Sequence, residues 1–140
     1  MKVYEGLLTI ENLPVNGIFV FGSNTQGKHK GGTAGYALEH LGAEYGNPEG
    51  LQGRSYAIVT KDKTKDVHPS VAEPFIRVQI HRLYELAKKE PELQFYVVYS
   101  GNGTNRNHYT PQEMANMFAY YPIPENIIFE KLFAKLLNAA

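Results

Sequence analysis

Short unbroken apolar runs and helical apolar stripes take turns along this chain. Ile18-Phe19-Val20-Phe21 is too short for a helix and shows no alternation, which predicts a strand buried on both faces. Ser55-Tyr56-Ala57-Ile58-Val59-Thr60 and Phe95-Tyr96-Val97-Val98-Tyr99 read the same way, and Asn126-Ile127-Ile128-Phe129 gives a fourth strand. Between the runs the period changes. Ala34 to Leu41 predicts a short helix opening after two glycines. Ser70 and Glu73 form a capping-box pattern ahead of an amphipathic stretch with Ile76, Ile80, Leu83 and Ala87 on one face. Thr110-Pro111-Gln112-Glu113 supplies an N-cap, a proline at the first helical position and a capping Glu. Met114, Met117 and Phe118 follow as a buried stripe, and Glu130 to Leu137 predicts a closing helix.

Buried strands alternating with helices predict an α/β layer architecture. Ligands of open α/β sheets bind beyond the carboxyl ends of the strands. Three strands here run into polar or glycine-rich loops, at 22–32, 60–66 and 100–109, and the three are expected to converge on one crevice. The chain has 140 residues and no repeat or linker that divides it, so one domain over 1–140 is expected. A hydrophobic fraction of 43% argues for a packed core and against disorder. Fourteen Lys and Arg balance 14 Asp and Glu, which removes the whole-domain charge footprint of a nucleic-acid or anionic-membrane binder and leaves room for a local basic patch. The absence of Cys excludes disulfides, thiolate metal sites and a thiol nucleophile. No stretch approaches the roughly 18 apolar residues of a membrane span, and no signal-peptide pattern follows Met1, so a soluble cytoplasmic domain is expected.

Glycine is concentrated between Gly17 and Gly53, with a second pair at Gly101 and Gly103. Gly22-Ser23-Asn24-Thr25-Gln26-Gly27-Lys28-His29 nearly spells the phosphate-cradling loop of nucleotide-binding phosphotransferases. It fails at the last position, because an imidazole cannot replace the hydroxyl that holds magnesium. The other reading of the segment is a glycine-rich turn leading to a helix that begins near Thr33, whose free N–H groups bind phosphate or a ribose oxygen. In that reading Asn24 offers an amide to a ribose. Ser100-Gly101-Asn102-Gly103-Thr104-Asn105 is the matching loop, with successive amides able to form an anion nest. Lys61 is the first charged position after its strand, placed to enter the crevice. The five His show no metal-ligand spacing, and no G-x-S-x-G elbow is present, so neither a metal site nor a serine hydrolase is expected.

Ile18 to Asn24, the glycine-rich turn after it, and Gly50-Leu51-Gln52-Gly53-Arg54-Ser55-Tyr56-Ala57-Ile58 together resemble a family of macrodomain-like proteins from bacteria and phages. Ser100 to Gly103 with Glu113-Met114-Ala115 and Met117-Phe118 extends the similarity from about Ile18 to Phe118. The resemblance implies a three-layer α/β/α sandwich, a mixed sheet with helices on both faces, and binding of ADP-ribose, a related nucleotide diphosphate or an ADP-ribosylated macromolecule, with no cofactor. It places Asn24 near the distal ribose. Gly22, Ser23, Gly31, Gly32 and Thr33 fall at the first ligand loop, and Ser100, Gly101, Asn102, Gly103, Thr104 and Asn105 around the diphosphate. Val59-Thr60-Lys61 is similar to the strand end of the terminal ADP-ribose protein glycohydrolases, whose lysine attacks the anomeric carbon, so Lys61 and Asn24 are the implied catalytic residues of an ADP-ribosyl hydrolase. That branch uses an Asp as acid/base where this chain has Asn105, and a neutral amide cannot exchange a proton near pH 7. The alternatives are a phosphotransferase using Lys28, and a structural or regulatory domain without catalysis.

Overall fold

Alternate side chains of the Ile18–Phe21 run feed two separate cores. Ile18 and Val20 pack with Ile76, Ile80 and Phe129 on one side, whereas Phe19 and Phe21 pack with Ala37 and Leu41 on the other. The computed structural model describes residues 1–102 and 105–139. Its elements in chain order are β1 (Val3–Tyr4), β2 (Gly17–Asn24), α1 (Gly32–His40), β3 (Gly50–Gln52), β4 (Ser55–Lys61), α2 (Glu73–Lys89), β5 (Gln94–Val97), α3 (Pro111–Ala119), β6 (Ile127–Glu130) and α4 (Lys131–Ala139). The strands form one sheet in the order β1-β6-β5-β2-β4-β3. All pairings are parallel except that of β3 with β4. Helix α1 lies over one face and α2, α3 and α4 over the other, so the chain is a three-layer α/β/α sandwich with a mixed sheet.

β2 is buried along its length except at Gly22 because both faces are covered, as its unbroken apolar run predicts. β5 differs. It ends at Val97 and alternates between half-buried and buried positions, because α1 and the N-terminal segment cover its outer face only in part. β1 and β3 have two and three residues, too few for any periodicity to announce them. Helix α3 keeps the predicted capping box, with the Thr110 side chain accepting from the Glu113 N–H and Glu113 accepting from the Thr110 N–H.

The capping box expected at Ser70 and Glu73 does not form: the N-cap of α2 is Ala72, without a side-chain bond. Pro74 gives the reason. An N-cap at Ser70 would put Pro74 at the fourth helical position, where it has no N–H for the Ser70 carbonyl. Starting at Glu73 keeps Pro74 in the first turn. Ser70 is used elsewhere, its Oγ accepting from the Asp62 N–H at 2.7 Å.

Because β3 is short, the peptide groups of Val59 in β4 have no strand partner on that side. Gln79 of α2 takes the place of one. Its Oε1 accepts from the Val59 N–H at 2.6 Å and its Nε2 donates to the Val59 carbonyl at 2.8 Å. Replacing this buried amide by an apolar isostere strands both groups. Gln79→Leu is therefore expected to cost about 2–4 kcal/mol in urea unfolding, against under about 1 kcal/mol for an exposed helical site such as Lys88→Leu.

Candidate functional site

The strand order reverses around β2: the chain passes from β2 to β4 on one side, then crosses to β5 on the other. Beyond the carboxyl ends of β2, β4 and β5 lies a cavity of about 670 Å³, within the usual size range of small-molecule sites. All three polar loops line it. Gly22, Ser23, Asn24, Gly31, Gly32 and Thr33 come from the first, Lys61 from the second, and Ser100, Asn102 and Asn105 from the third. Gly101 is not at the surface of the cavity. It is wedged against α4, where a methyl group on it would stand 2.5 Å from the Leu132 carbonyl carbon. Gly103 and Thr104 lie outside the described residues.

Asn24 lines the cavity, yet most of its amide is spent on its own loop. Its Oδ1 accepts from the N–H groups of Gln26 (3.2 Å) and Lys28 (3.1 Å), and its Nδ2 donates to the Lys28 carbonyl (2.9 Å). One amide hydrogen remains for a ligand. The same bonds consume two of the N–H groups that a phosphate-cradling loop would aim at its nucleotide. His29 is turned inward rather than towards any phosphate: it is buried, meets Phe21 edge-on at 5.2 Å, and its Nε2 donates to the Asn47 carbonyl at 2.9 Å. The β2–β4 register shifts between Ser23, opposite Val59, and Asn24, opposite Lys61, which leaves Thr60 as the extra residue on β4.

Helix α1 offers the anion-binding groups. Its N-cap, Gly31, has no side-chain bond, and its first turn holds no acidic residue. The N–H groups of Gly32, Thr33 and Ala34 precede the first helical bond, which Gly35 makes to the Gly31 carbonyl. Across this turn lies Arg106, from the loop after β5. A methyl group at Gly32 would stand 3.0 Å from the Arg106 Cζ, so a glycine pair is what lets the guanidinium lie against the backbone. Lys28, Lys30, Lys61, Lys63 and Arg106 all line the cavity, and no Asp or Glu is among its described lining residues. The chain as a whole is electrically neutral, so this is a local concentration of charge.

Next to the main cavity is a second hollow of about 310 Å³, lined by Tyr4, Leu7, Leu8, Phe19 and Glu130 and sharing Thr33, Val98, Tyr99, Ser100 and Asn102 with it. At the junction sits Tyr99, buried, with its hydroxyl close to Thr60 but without a hydrogen-bond partner of good geometry. Burial raises its pKa and the Thr60 hydroxyl pulls it partly back, so it is a neutral phenol at neutral pH. Gly22 is small for its sake: a methyl there would stand 2.8 Å from the Tyr99 Oη.

Glu130 ties the third loop to α4. Its Oε1 accepts from the N–H groups of Gly101 and Phe133, both at 3.1 Å, and its Oε2 from that of Leu132 at 2.8 Å. Desolvation pushes its pKa up, but the three backbone bonds outweigh it and the net shift is downward. A carboxylate with a lowered folded pKa stabilises the native state above its unfolded pKa, near 4.3, and loses that contribution as pH falls through the folded value. Glu130→Gln is therefore expected to flatten the fall in melting temperature below about pH 5. An acid limb as steep as that of the parent would contradict this.

Arg106, Lys30, Lys63, Tyr99 and His108 line the cavity without having been singled out in the sequence. For Arg106 the signal is the glycine pair on which it rests, visible only once the loops meet. Among the described residues no group of three or more His, Asp or Glu is placed to hold a metal ion, and no helix is long and apolar enough to cross a membrane. No family model, curated protein or solved structure matches this chain.

Proposed function

We propose that this protein binds ADP-ribose, free or attached to a macromolecule, in the cavity at the ends of β2, β4 and β5. The observation that carries the reading is that three separate loops bring five cations and no described carboxylate around one cavity, with a smaller hollow beside it, an annex that Tyr4, Leu7, Leu8, Phe19 and Glu130 line. The diphosphate lies on the N–H groups of the first turn of α1, under Arg106. The base enters the annex beside Tyr4 and Phe19. The distal ribose reaches the remaining Asn24 amide hydrogen and Lys61. ADP-ribose is chosen over other nucleoside diphosphates on the macrodomain resemblance.

The site is a binding site first. Attack by Lys61 on the anomeric carbon would expel a leaving group that needs a proton. Asn105 has none to give, its amide donating to the Tyr109 carbonyl at 3.2 Å. Asp62 is held by Thr64 and Thr25 and is not among the residues lining the cavity. Against a magnesium-dependent phosphotransferase stand the loop amides committed to Asn24 and the inward turn of His29.

Thermal melting tests the reading. A ligand at 100 times its dissociation constant stabilises the native state by about 2.7 kcal/mol, which raises the melting temperature of a chain this size by several degrees. ADP-ribose is expected to give that shift and ATP with magnesium a smaller one. The reverse order would overturn the proposal in favour of the phosphotransferase. Release of ADP-ribose from a modified protein by the parent, abolished in Lys61→Ala, would establish the hydrolase instead.

A further inference from the structure

We propose that the site accepts a ligand with a planar ring at each end of a phosphate chain, a dinucleoside polyphosphate, and that His68 and His108 form the platform for the second ring. This rests on the reading above, in which the first base occupies the annex and the phosphates follow the loops. The two imidazoles are stacked, with centroids 4.8 Å apart and an interplanar angle of 15°. They come from different loops, His68 after β4 and His108 after β5. His68 is half-buried and anchored, its Nδ1 3.0 Å from the Ser70 Oγ that also accepts from the Asp62 N–H. His108 is exposed and lines the cavity. One face of its ring is covered by His68, and a flat group can stack on the other. Its backbone is held at φ 69, in the left-handed region that an L-residue occupies only when its surroundings impose it.

Position and charge point the same way. His108 lines the main cavity and neither imidazole lines the annex, so the two rings occupy separate parts of the site. A phosphate chain with its riboses joins the two, and charge sets its length. The main cavity is lined by five cations, more than the two charges of a diphosphate neutralise. A second ring that is itself cationic would be repelled by Lys63 and Arg106, which selects a neutral nucleobase.

Calorimetric titration with diadenosine tetraphosphate and with ADP-ribose tests the platform. The tetraphosphate is expected to bind the parent at least tenfold more tightly than ADP-ribose. His108→Asn removes the ring while keeping a residue that tolerates a left-handed backbone, and it is expected to abolish the gain and leave ADP-ribose affinity unchanged. His68→Ala is expected to remove part of the gain. Equal affinity of the two ligands for the parent, or a gain that survives His108→Asn, would overturn the inference while leaving ADP-ribose binding standing. Tetraphosphate binding that depends on His108, with no binding of ADP-ribose, would uphold the platform and overturn the ADP-ribose reading. Binding of neither would overturn both.

Discussion

Gly27→Ala is expected to lower the melting temperature by roughly 10 °C, the largest effect of any alanine placed in the loops around the cavity. Gly27 holds φ 66, and a methyl group on it would stand 2.6 Å from both the Gly46 carbonyl carbon and the Asn47 nitrogen. The obstacle is backbone, which cannot swing aside as a side chain would. Left-handed strain costs about 1–2 kcal/mol and forced overpacking about 1–3 kcal/mol more. Gly46→Ala is the control, since Gly46 holds φ 90 with nothing within 4 Å of the added methyl. It carries the strain alone, and its shift is expected to be less than half as large. Equal shifts would mean that the close approach of the two loops contributes nothing.

Arg106→Glu is expected to weaken ADP-ribose binding by a hundredfold or more while leaving the fold intact. A guanidinium bonded to phosphate contributes about 1.5–3 kcal/mol, and a carboxylate in its place adds repulsion. For stability the sign reverses. A carboxylate lying over the first turn of α1 complements a helix end that has no acidic residue and no side-chain cap, so the melting temperature of the unliganded protein is expected to stay the same or rise. The opposition separates a binding residue from a structural one. A variant that loses affinity and stability together would show that Arg106 holds the loops rather than the ligand.

Much of the architecture was legible because apolar spacing follows from geometry that any packed sheet must obey. β2 and β4 were visible as continuous runs, the inner face of α2 as the stripe from Ile76 to Ala87, and the start of α3 as a capping box. Elements of two or three residues, β1 and β3, leave no period to read, and the start of α2 is set by Pro74 against an otherwise good cap at Ser70. In the site, two of the loops that meet were marked by their glycines and the third by its charges, all three by their place after buried strands. What each residue does there was not. Asn24 looks like a ligand residue, but its oxygen closes a turn through Gln26 and Lys28. Arg106 and the imidazole pair were hidden because they depend on contacts between loops more than 30 residues apart in the chain.

The most direct measurement is a backbone-amide NMR titration of the isotope-labelled protein with ADP-ribose. The account predicts that Gly32, Thr33 and Ala34 shift together with Lys61, Asn102 and Arg106, saturating at one ligand per chain, while the amides of β3 and the outer face of α2 stay put. Perturbation confined to one of the three loops, or absent from the first turn of α1 at saturating ligand, would contradict it.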